Sequence, residues 1–565
     1  MNALFLLLAA AVAFVFGYRF YSRLLALGVF RLEDNYSIPA PDSPAADEHL
    51  LHKRHLIFGH HVASLAAGAA VMGSLVSLIW GWVPAFLWVV VGTVTAAGTY
   101  GLGSLWLSLR FPGLNPAEIA ARLLGHPAHG LFALFAFLLL LILNAACATL
   151  AAQLLSGFPQ AVLPYWAIVV LAYVLGGFLR GRENFEFIPA SLVALTMGLM
   201  AVWLLGGFPL AFTGVLNLET TESYVAFDAS VIWVLILYFY AYHATRLPMW
   251  KLIRPRGYLT ALLLGIMLLV CYAAVTINHP VLVAPEFHTG AGIPATLPWL
   301  FITLTSGAVA GIHLLIANGI TARQMKRETD ARYIGYGGAL ALGLLALSAI
   351  IIGATGFAGT PEWNQYYASW EGFRDLHKVF ELYINGFARL ADGIGVDPFL
   401  ARTLAAVVMI GLLVATLEAG LRVQKHLLTG MTEQFPSLSF LPGNERTQIA
   451  CVVVLSAVLA LHQPHGLGGL AWWPLFGVAD QMLVVLGLSL LALGLRQGER
   501  PVIWVVVPLG FMALVAHWAF AVLVVQWWSQ KAWLLLTLGV LLLAAEIGLA
   551  LLALRTIKAA SPSAS

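Results

Sequence analysis

The chain has 565 residues, of which 61% are hydrophobic and only 10% are charged, and its mean hydropathy is +0.89. A soluble domain carries roughly 25% charged residues, so a soluble enzyme, a disordered protein and a fibrous protein are excluded. The net charge is only +3 and the basic residues are scattered, which excludes a typical nucleic-acid-binding protein. A multi-pass membrane protein remains, and its long continuous apolar runs favour helices over a β-barrel.

Fifteen apolar stretches approach the ~20 residues that a helix needs to cross a bilayer. The first stretch lacks the basic leader of a signal peptide, so we expect it to be retained as a span. One integral membrane domain is predicted over residues 1–558, followed by a short disordered tail at 559–565. The fifteen predicted transmembrane helices cover 2–29, 56–80, 83–109, 130–156, 160–180, 187–207, 229–247, 257–277, 297–320, 334–357, 399–420, 447–462, 468–495, 501–526 and 532–555.

The basic residues segregate when alternate connecting loops are assigned to opposite sides of the membrane. Cytoplasmic loops are rich in Lys and Arg, so the N-terminus is predicted outside and the C-terminus in the cytoplasm. One side holds 24 of the 29 basic residues. The other, sparsely basic side holds the remaining five, which are Arg374, Lys378, Arg389, Arg402 and Lys531.

A long segment on the sparsely basic side, residues 358–398, is rich in aromatic residues and contains a possible helix from Leu376 to Leu390. One interpretation is an interfacial aromatic belt with a surface helix. The alternative is an outer lid over a substrate path.

Polar residues inside a bilayer are costly and commonly face a cavity or a partner, so they are the candidate functional residues. His60 and His61 open the second predicted span, and His49, His52 and His55 precede them. Histidine exchanges protons near neutral pH, and five histidines could also hold a metal, although no cysteine or tight carboxylate cluster accompanies them. Packing, metal binding and the handling of substrate or protons all remain open for this cluster.

The ninth predicted span contains small residues from Ser306 to Gly311, then His313, Asn318 and Gly319. Small residues let helices pack closely, so a packing seam is one interpretation. The other is a helix break at Asn318-Gly319, where freed backbone groups could coordinate a solute or an ion.

A third polar group lies near the start of the thirteenth predicted span. Pro474 followed by Gly477 predicts an unwound turn, and Asp480 with Gln481 comes next in the apolar run. An acid in such surroundings could exchange protons, or it could be a buried structural carboxylate.

Glu418 and Arg422 lie one helical turn apart at the end of the eleventh predicted span. Their order favours an ion pair, and we interpret it as an interfacial pair rather than a substrate site.

At these positions the chain resembles the carbon starvation protein family, from about residue 18 to 495. The stretches at 301–337 and 473–481 are the most specific. The resemblance is carried by Phe58-Gly59-His60-His61, by Leu247-Pro248-Met249-Trp250 with Arg254-Pro255-Arg256-Gly257-Tyr258-Leu259, by Phe301 to Gly337, and by Trp473-Pro474-Leu475-Phe476-Gly477 with Asp480-Gln481.

The resemblance implies a bacterial inner-membrane uptake system for pyruvate or peptides that is coupled to protons. It also implies an architecture of inverted repeats and broken helices, of the amino acid–polyamine–organocation type.

Departures from the family pattern fall near the candidate site. Asp480 stands where the family usually has asparagine, and Gly257 where it has aspartate. The segment Ala317 to Arg323 lacks several hydroxyl groups and the proline of the family, and no proline follows His61 in the turn after it. These changes could mean a different solute or a different coupling.

We therefore predict an all-α secondary transporter, with about fifteen spans, that imports a pyruvate-like monocarboxylate or a short peptide with a coupling proton. No cofactor, metal or nucleic-acid partner is expected, and no enzymatic activity. The alternatives are a membrane-embedded metal- or haem-binding protein or enzyme that uses the histidines, and a membrane sensor without transport. The predicted substrate and coupling residues are His60, His61, His313, Asn318, Asp480 and Gln481.

Overall fold

The structure is a computed structural model, and it describes residues 1–34, 54–66, 68–111, 114–179, 187–212, 216–220, 223–374, 376–435 and 443–559. Within these ranges the chain forms 22 α-helices and one antiparallel hairpin of two strands. The predicted tail from residue 560 onward, His49 and His52 lie outside the described residues.

The two strands lie between α9 and α10 in the chain. The first eleven helices are α1 Ala3–Phe16, α2 Arg54–Ala66, α3 Ala69–Ser77, α4 Trp82–Gly92, α5 Gly98–Arg110, α6 Pro116–Leu124, α7 Pro127–Gly157, α8 Val162–Leu179, α9 Phe187–Leu205, α10 Ala229–Arg246 and α11 Ile253–Asn278. The remaining helices are α12 Thr296–Ala308, α13 Ile312–Ile316, α14 Gly337–Thr355, α15 Thr360–Tyr366, α16 Leu376–Asp392, α17 Pro398–Gln434, α18 Glu445–Leu461, α19 Gly468–Ala471, α20 Trp473–Gln497, α21 Ile503–Ser529 and α22 Trp533–Ala559. The strands are β1 Leu216–Thr220 and β2 Ser223–Phe227.

Among the described residues, ten helical segments are long and apolar enough to cross a membrane. They number eleven if α2 and the segment Ala69–Trp80, which meet at an angle of 48°, form one bent span. Each of the fifteen predicted stretches contains a helix, but several of these helices are short or broken, so the count of fifteen stays a prediction. The multi-pass, helical nature of the chain is confirmed.

Helix α17 lies at the centre of the bundle and packs against α7, α2, α11 and α16. Its most apolar stretch of 18 residues is completely buried. Helices α1, α21 and α22 lie at the periphery, where large apolar side chains such as Phe5, Val525 and Leu551 are more than half exposed. A lipid bilayer would cover these side chains, and the buried polar groups lie in the interior instead.

Several helices are interrupted by π-helical turns, which widen the helix by one residue and frequently mark functional positions. At both positions where the sequence predicts a helix break, the structure is helical. Asn318 and Gly319 lie in a π-helical turn, and the chain leaves helical geometry earlier, at 309–311. Proline fits the first turn of a helix because its missing N–H would have no partner there, so Pro474 lies in the first turn of α20. Gly477 continues that helix without unwinding. The π-helical turns are Gly17–Tyr21, Leu24–Val29, Thr93–Ala97, Ala317–Thr321 and Arg332–Tyr336.

The predicted helix from Leu376 is confirmed as α16, which buries one face and exposes Lys378, Asn385 and Arg389 on the other. The interpretation as an interfacial aromatic belt with a surface helix stays a prediction. One face of α16 packs against α3, α14 and α17. Trp363 and Tyr367 are fully buried, and their rings stack with centroids 4.5 Å apart. The Tyr367 hydroxyl donates a hydrogen bond to the carbonyl oxygen of Leu75 at 3.0 Å, which ties this segment to α3. The alternative of an outer lid stays a prediction.

Candidate functional site

The break between α12 and α13 lies directly against α20. A Cβ atom on Gly311 would lie 2.3 Å from the carbonyl oxygen of Asp480, so only glycine permits this approach of the two backbones. One carboxylate oxygen of Asp480 accepts a hydrogen bond from the backbone N–H of Ile312 at 3.1 Å. Asp480 therefore caps the start of α13 from another helix, where the first N–H groups have no partner within the helix.

Two further side chains complete the surroundings of this contact. The amide nitrogen of Gln481 donates to the second carboxylate oxygen of Asp480 at 3.4 Å. The hydroxyl of Tyr100, on α5, donates to the carbonyl oxygen of Gly311 at 3.4 Å, and its ring stacks on that of His313 at 6.3 Å. The break is thus held by hydrogen bonds from α5 and α20, and both helices contact α13.

Several buried polar atoms around the break have no hydrogen-bond partner within the described part of the chain. They are both ring nitrogens of His313, both amide atoms of Asn318 and the amide oxygen of Gln481. These three residues are at most 1% exposed. A buried polar atom without a partner costs about 1–3 kcal/mol, so such a cluster is typical of a site that is completed by a ligand or by water.

His60 and His61 follow each other on α2 and point to different neighbours. The Nδ1 atom of His61 lies 2.9 Å from the hydroxyl oxygen of Thr321, at the end of the π-helical turn that contains Asn318. His60 packs against α11, where a Cβ atom on Gly257 would lie 2.7 Å from its Nδ1 atom. The structure therefore places four of the six predicted residues on α13, its π-helical turn and α20. His61, on α2, borders this group through Thr321, and His60 faces α11 instead.

A buried ion pair next to His60 was not anticipated. Arg256 and Glu418 are joined at 2.5 Å, and their side chains are 1% and 0% exposed. Glu418 is buried and paired with Arg256, whereas the sequence predicts an interfacial pair of Glu418 with Arg422. Arg422 donates to the carbonyl oxygens of Thr245 at 3.0 Å and Leu247 at 2.6 Å. The basic residues at 254–256 are the sequence feature that could have indicated this pair, but the sequence there is typical of a loop, whereas the structure places them in the first turn of α11.

The histidine-rich segment was also a candidate metal site. The described residues contain no group of three or more His, Cys, Asp or Glu side chains that could hold a metal ion. His55, the one member of the upstream trio in the described part, lies with Nδ1 3.1 Å from the hydroxyl of Tyr333.

Comparison with known proteins agrees with the resemblance. The family model described as carbon starvation protein CstA matches residues 2–359 and 379–519. The peptide transporter CstA of Mycobacterium tuberculosis is 25% identical, over 89% of this chain and 73% of the relative. The peptide transporter CstA of Escherichia coli K12 is 26% identical, over 88% of this chain and 78% of the relative. The pyruvate/proton symporter BtsT of Escherichia coli K12 is 28% identical, over 62% of this chain and 49% of the relative.

Among solved structures, a manganese transporter of Eremococcus coleocola aligns over 93% of this chain and 98% of its own, at 13% identity and a TM-score of 0.41. The family match covers most of the sequence, including the break at Gly311 and the residues around Asp480. The chain belongs to the carbon starvation protein CstA family.

Proposed function

We propose that the chain is a secondary active transporter of the bacterial inner membrane that imports a pyruvate-like monocarboxylate or a short peptide together with a proton. The family membership, the multi-pass helical fold and the names of the relatives support transport. The basic loops support an outer N-terminus and a cytoplasmic C-terminus. The broken span between α12 and α13 is consistent with the inverted-repeat architecture of such transporters, which is part of the proposal.

The observation that carries the coupling mechanism is the contact between Asp480 and the start of α13. A charged carboxylate accepts a hydrogen bond from a backbone N–H more strongly than a neutral carboxylic acid does. In the proposed mechanism a proton binds to a carboxylate oxygen of Asp480, which weakens the bond to the Ile312 N–H. Proton binding then loosens the tie between α20 and the helix break, so the charge state of one side chain controls the geometry of the site.

The solute is proposed to bind at the same break. Backbone groups at 309–311 leave the helical hydrogen-bond pattern there, and such groups coordinate solutes in transporters with broken helices. The unpartnered atoms of His313, Asn318 and Gln481 supply both donors and acceptors, which suit a carboxylate, a carbonyl or an amide group. His61 borders this group through Thr321, and His60 is proposed to line the path at α11.

The test is the uptake of labelled pyruvate and dialanine by the purified chain in liposomes, with and without a proton gradient. We expect Asp480→Asn to lose the dependence on the gradient and His313→Ala to lose uptake of the solute. Glu433→Gln is the matched control, because it is also an acid-to-amide change and Glu433 is exposed at the end of α17. Full dependence on the gradient in Asp480→Asn would refute the coupling role of Asp480.

A further inference from the structure

A cavity of about 470 Å³ lies where the end of α16 meets the start of α17. It is far along the chain from the break at Gly311, and neither the predicted site nor the proposed mechanism uses it. Its volume falls within the range of roughly 300–1,000 Å³ that small-molecule sites occupy. It is lined by Asn385, Ala388, Arg389, Asp392, Pro398 and Arg402.

The cavity uses the polar face of α16. Phe380, Tyr383 and Phe387 are fully buried on the apolar face of this helix. Residues three and four apart lie on one side of a helix, so Asn385, Arg389 and Asp392 form a stripe on another side. These three residues are exposed at the open side of the cavity, and Pro398 and Arg402 at the start of α17 line its other side.

The lining carries two guanidinium groups and one carboxylate, so its net charge is positive. Arg389 donates a hydrogen bond to the carbonyl oxygen of Gly356, at the end of α14, which fixes the position of its guanidinium group. The Nε atom of Arg402 is buried and has no hydrogen-bond partner in the described part of the chain. A guanidinium group with a free edge is suited to bind a carboxylate through two parallel hydrogen bonds.

The position of these arginines in the sequence is unusual. The sparsely basic side of the membrane holds only five of the 29 basic residues, and four of the five lie between Arg374 and Arg402. The rule that sets membrane orientation disfavours cations on this side, so the concentration of four of them in one segment needs another explanation. An anionic ligand that binds on this side supplies one.

We propose that this cavity is a binding site for the carboxylate group of a solute on the sparsely basic side of the membrane, where Arg389 and Arg402 bind the anion before it reaches the break at Gly311. The proposal rests on the proposed transport function. The phosphate of an anionic lipid headgroup offers the same chemistry as a soluble carboxylate, and the experiment separates the two.

The test uses the purified full-length chain and the double variant Arg389→Gln/Arg402→Gln. Lys531→Gln is the control, because it removes a positive charge on the same side of the membrane and Lys531 does not line the cavity. Uptake of pyruvate is measured in vesicles of neutral phosphatidylcholine and in vesicles that also contain phosphatidylglycerol. Thermal stabilisation by sodium pyruvate, relative to sodium chloride, measures binding without transport.

We expect the KM for pyruvate to rise about tenfold in the double variant in both kinds of vesicle, with kcat and the control unchanged. Stabilisation by pyruvate should need about tenfold more pyruvate in the double variant and should be unchanged in Asp480→Asn. Arg402→Lys, which keeps the charge but not the planar fork, should give an intermediate KM.

A wild-type KM in the double variant would overturn the proposal. A rise in KM that occurs only in the vesicles with phosphatidylglycerol would also overturn it, because a lipid headgroup would then be the ligand. Absence of uptake of either pyruvate or dialanine by the wild-type chain would refute transport instead. In that case equal stabilisation of the wild type and the double variant by pyruvate would overturn the anion site independently.

Discussion

Gly311→Ala tests whether the close contact between the helix break and α20 holds the site together. The added methyl group would lie 2.3 Å from the carbonyl oxygen of Asp480 and 2.6 Å from the Cβ atom of Leu483, so the start of α13 must move away from α20. Overpacking of this kind costs about 1–3 kcal/mol. The shift also breaks the 3.1 Å hydrogen bond from the Ile312 N–H to the carboxylate, which is worth about 1.5–3 kcal/mol more.

The expected loss of about 2.5–6 kcal/mol should lower the midpoint of thermal unfolding and abolish solute uptake in liposomes. Gly477→Ala is the matched control on α20, because its methyl group would meet only the side chain of Ile302, at an ordinary 3.6 Å. Alanine favours the helix by up to ~1 kcal/mol over glycine, so this variant should be as stable as the wild type or slightly more stable. Equal unfolding midpoints and equal uptake for the two variants would refute the proposed contact.

Three further predictions concern other parts of the structure. Arg256→Met should destabilise the chain by about 3–5 kcal/mol, because it leaves the Glu418 carboxylate buried without its partner. The double variant Arg256→Met/Glu418→Leu should recover most of the unfolding midpoint. A double variant no more stable than the single one would contradict this. Gly68→Ala should cost at least about 1–2 kcal/mol, because the residue has φ +71° and its methyl group would lie 2.6 Å from Phe380, and an unchanged unfolding midpoint would argue against the bend between α2 and α3. Burial raises the pKa of Glu328 above its ordinary 4.5, so the folded chain holds this proton more tightly than the unfolded chain. The resulting stability is present below pH 4.5 and is lost as the pH rises through the pKa of the folded state. Glu328→Gln should remove this part of the pH dependence of the unfolding midpoint.

The helices were largely predictable because a segment that crosses a membrane must be apolar over its whole length, which is visible in the local sequence. A run of about 20 apolar residues is needed wherever the backbone crosses lipid, and every predicted stretch contains a helix. The exact interruptions were not predictable from composition. Asn318-Gly319 looks like a break, but a π-helical turn accommodates it, while the break at 309–311 depends on the backbone of α20 that lies against Gly311.

The candidate site was predictable in its residue types but not in its partners. Asp480 and His313 were recognisable because an ionisable side chain in an apolar run is costly. The pairing of Glu418 with Arg256 was not, because the two residues are 162 positions apart and only the packing of α11 on α17 brings them together. The nearer Arg422 is the partner that the spacing in the sequence suggests, whereas the ion pair of Glu418 with Arg256 depends on the tertiary structure.

The adjacency of His60 and His61 has a mechanical consequence. Successive residues on an α-helix are separated by about 100° around its axis, so the two rings share one rigid rod and cannot turn independently. A twist of α2 that pulls His61 from Thr321 must at the same time slide His60 across the surface of α11 beside Gly257. Two polar regions that contact different faces of α2 are therefore coupled, because the histidines that contact them are neighbours on one rigid helix.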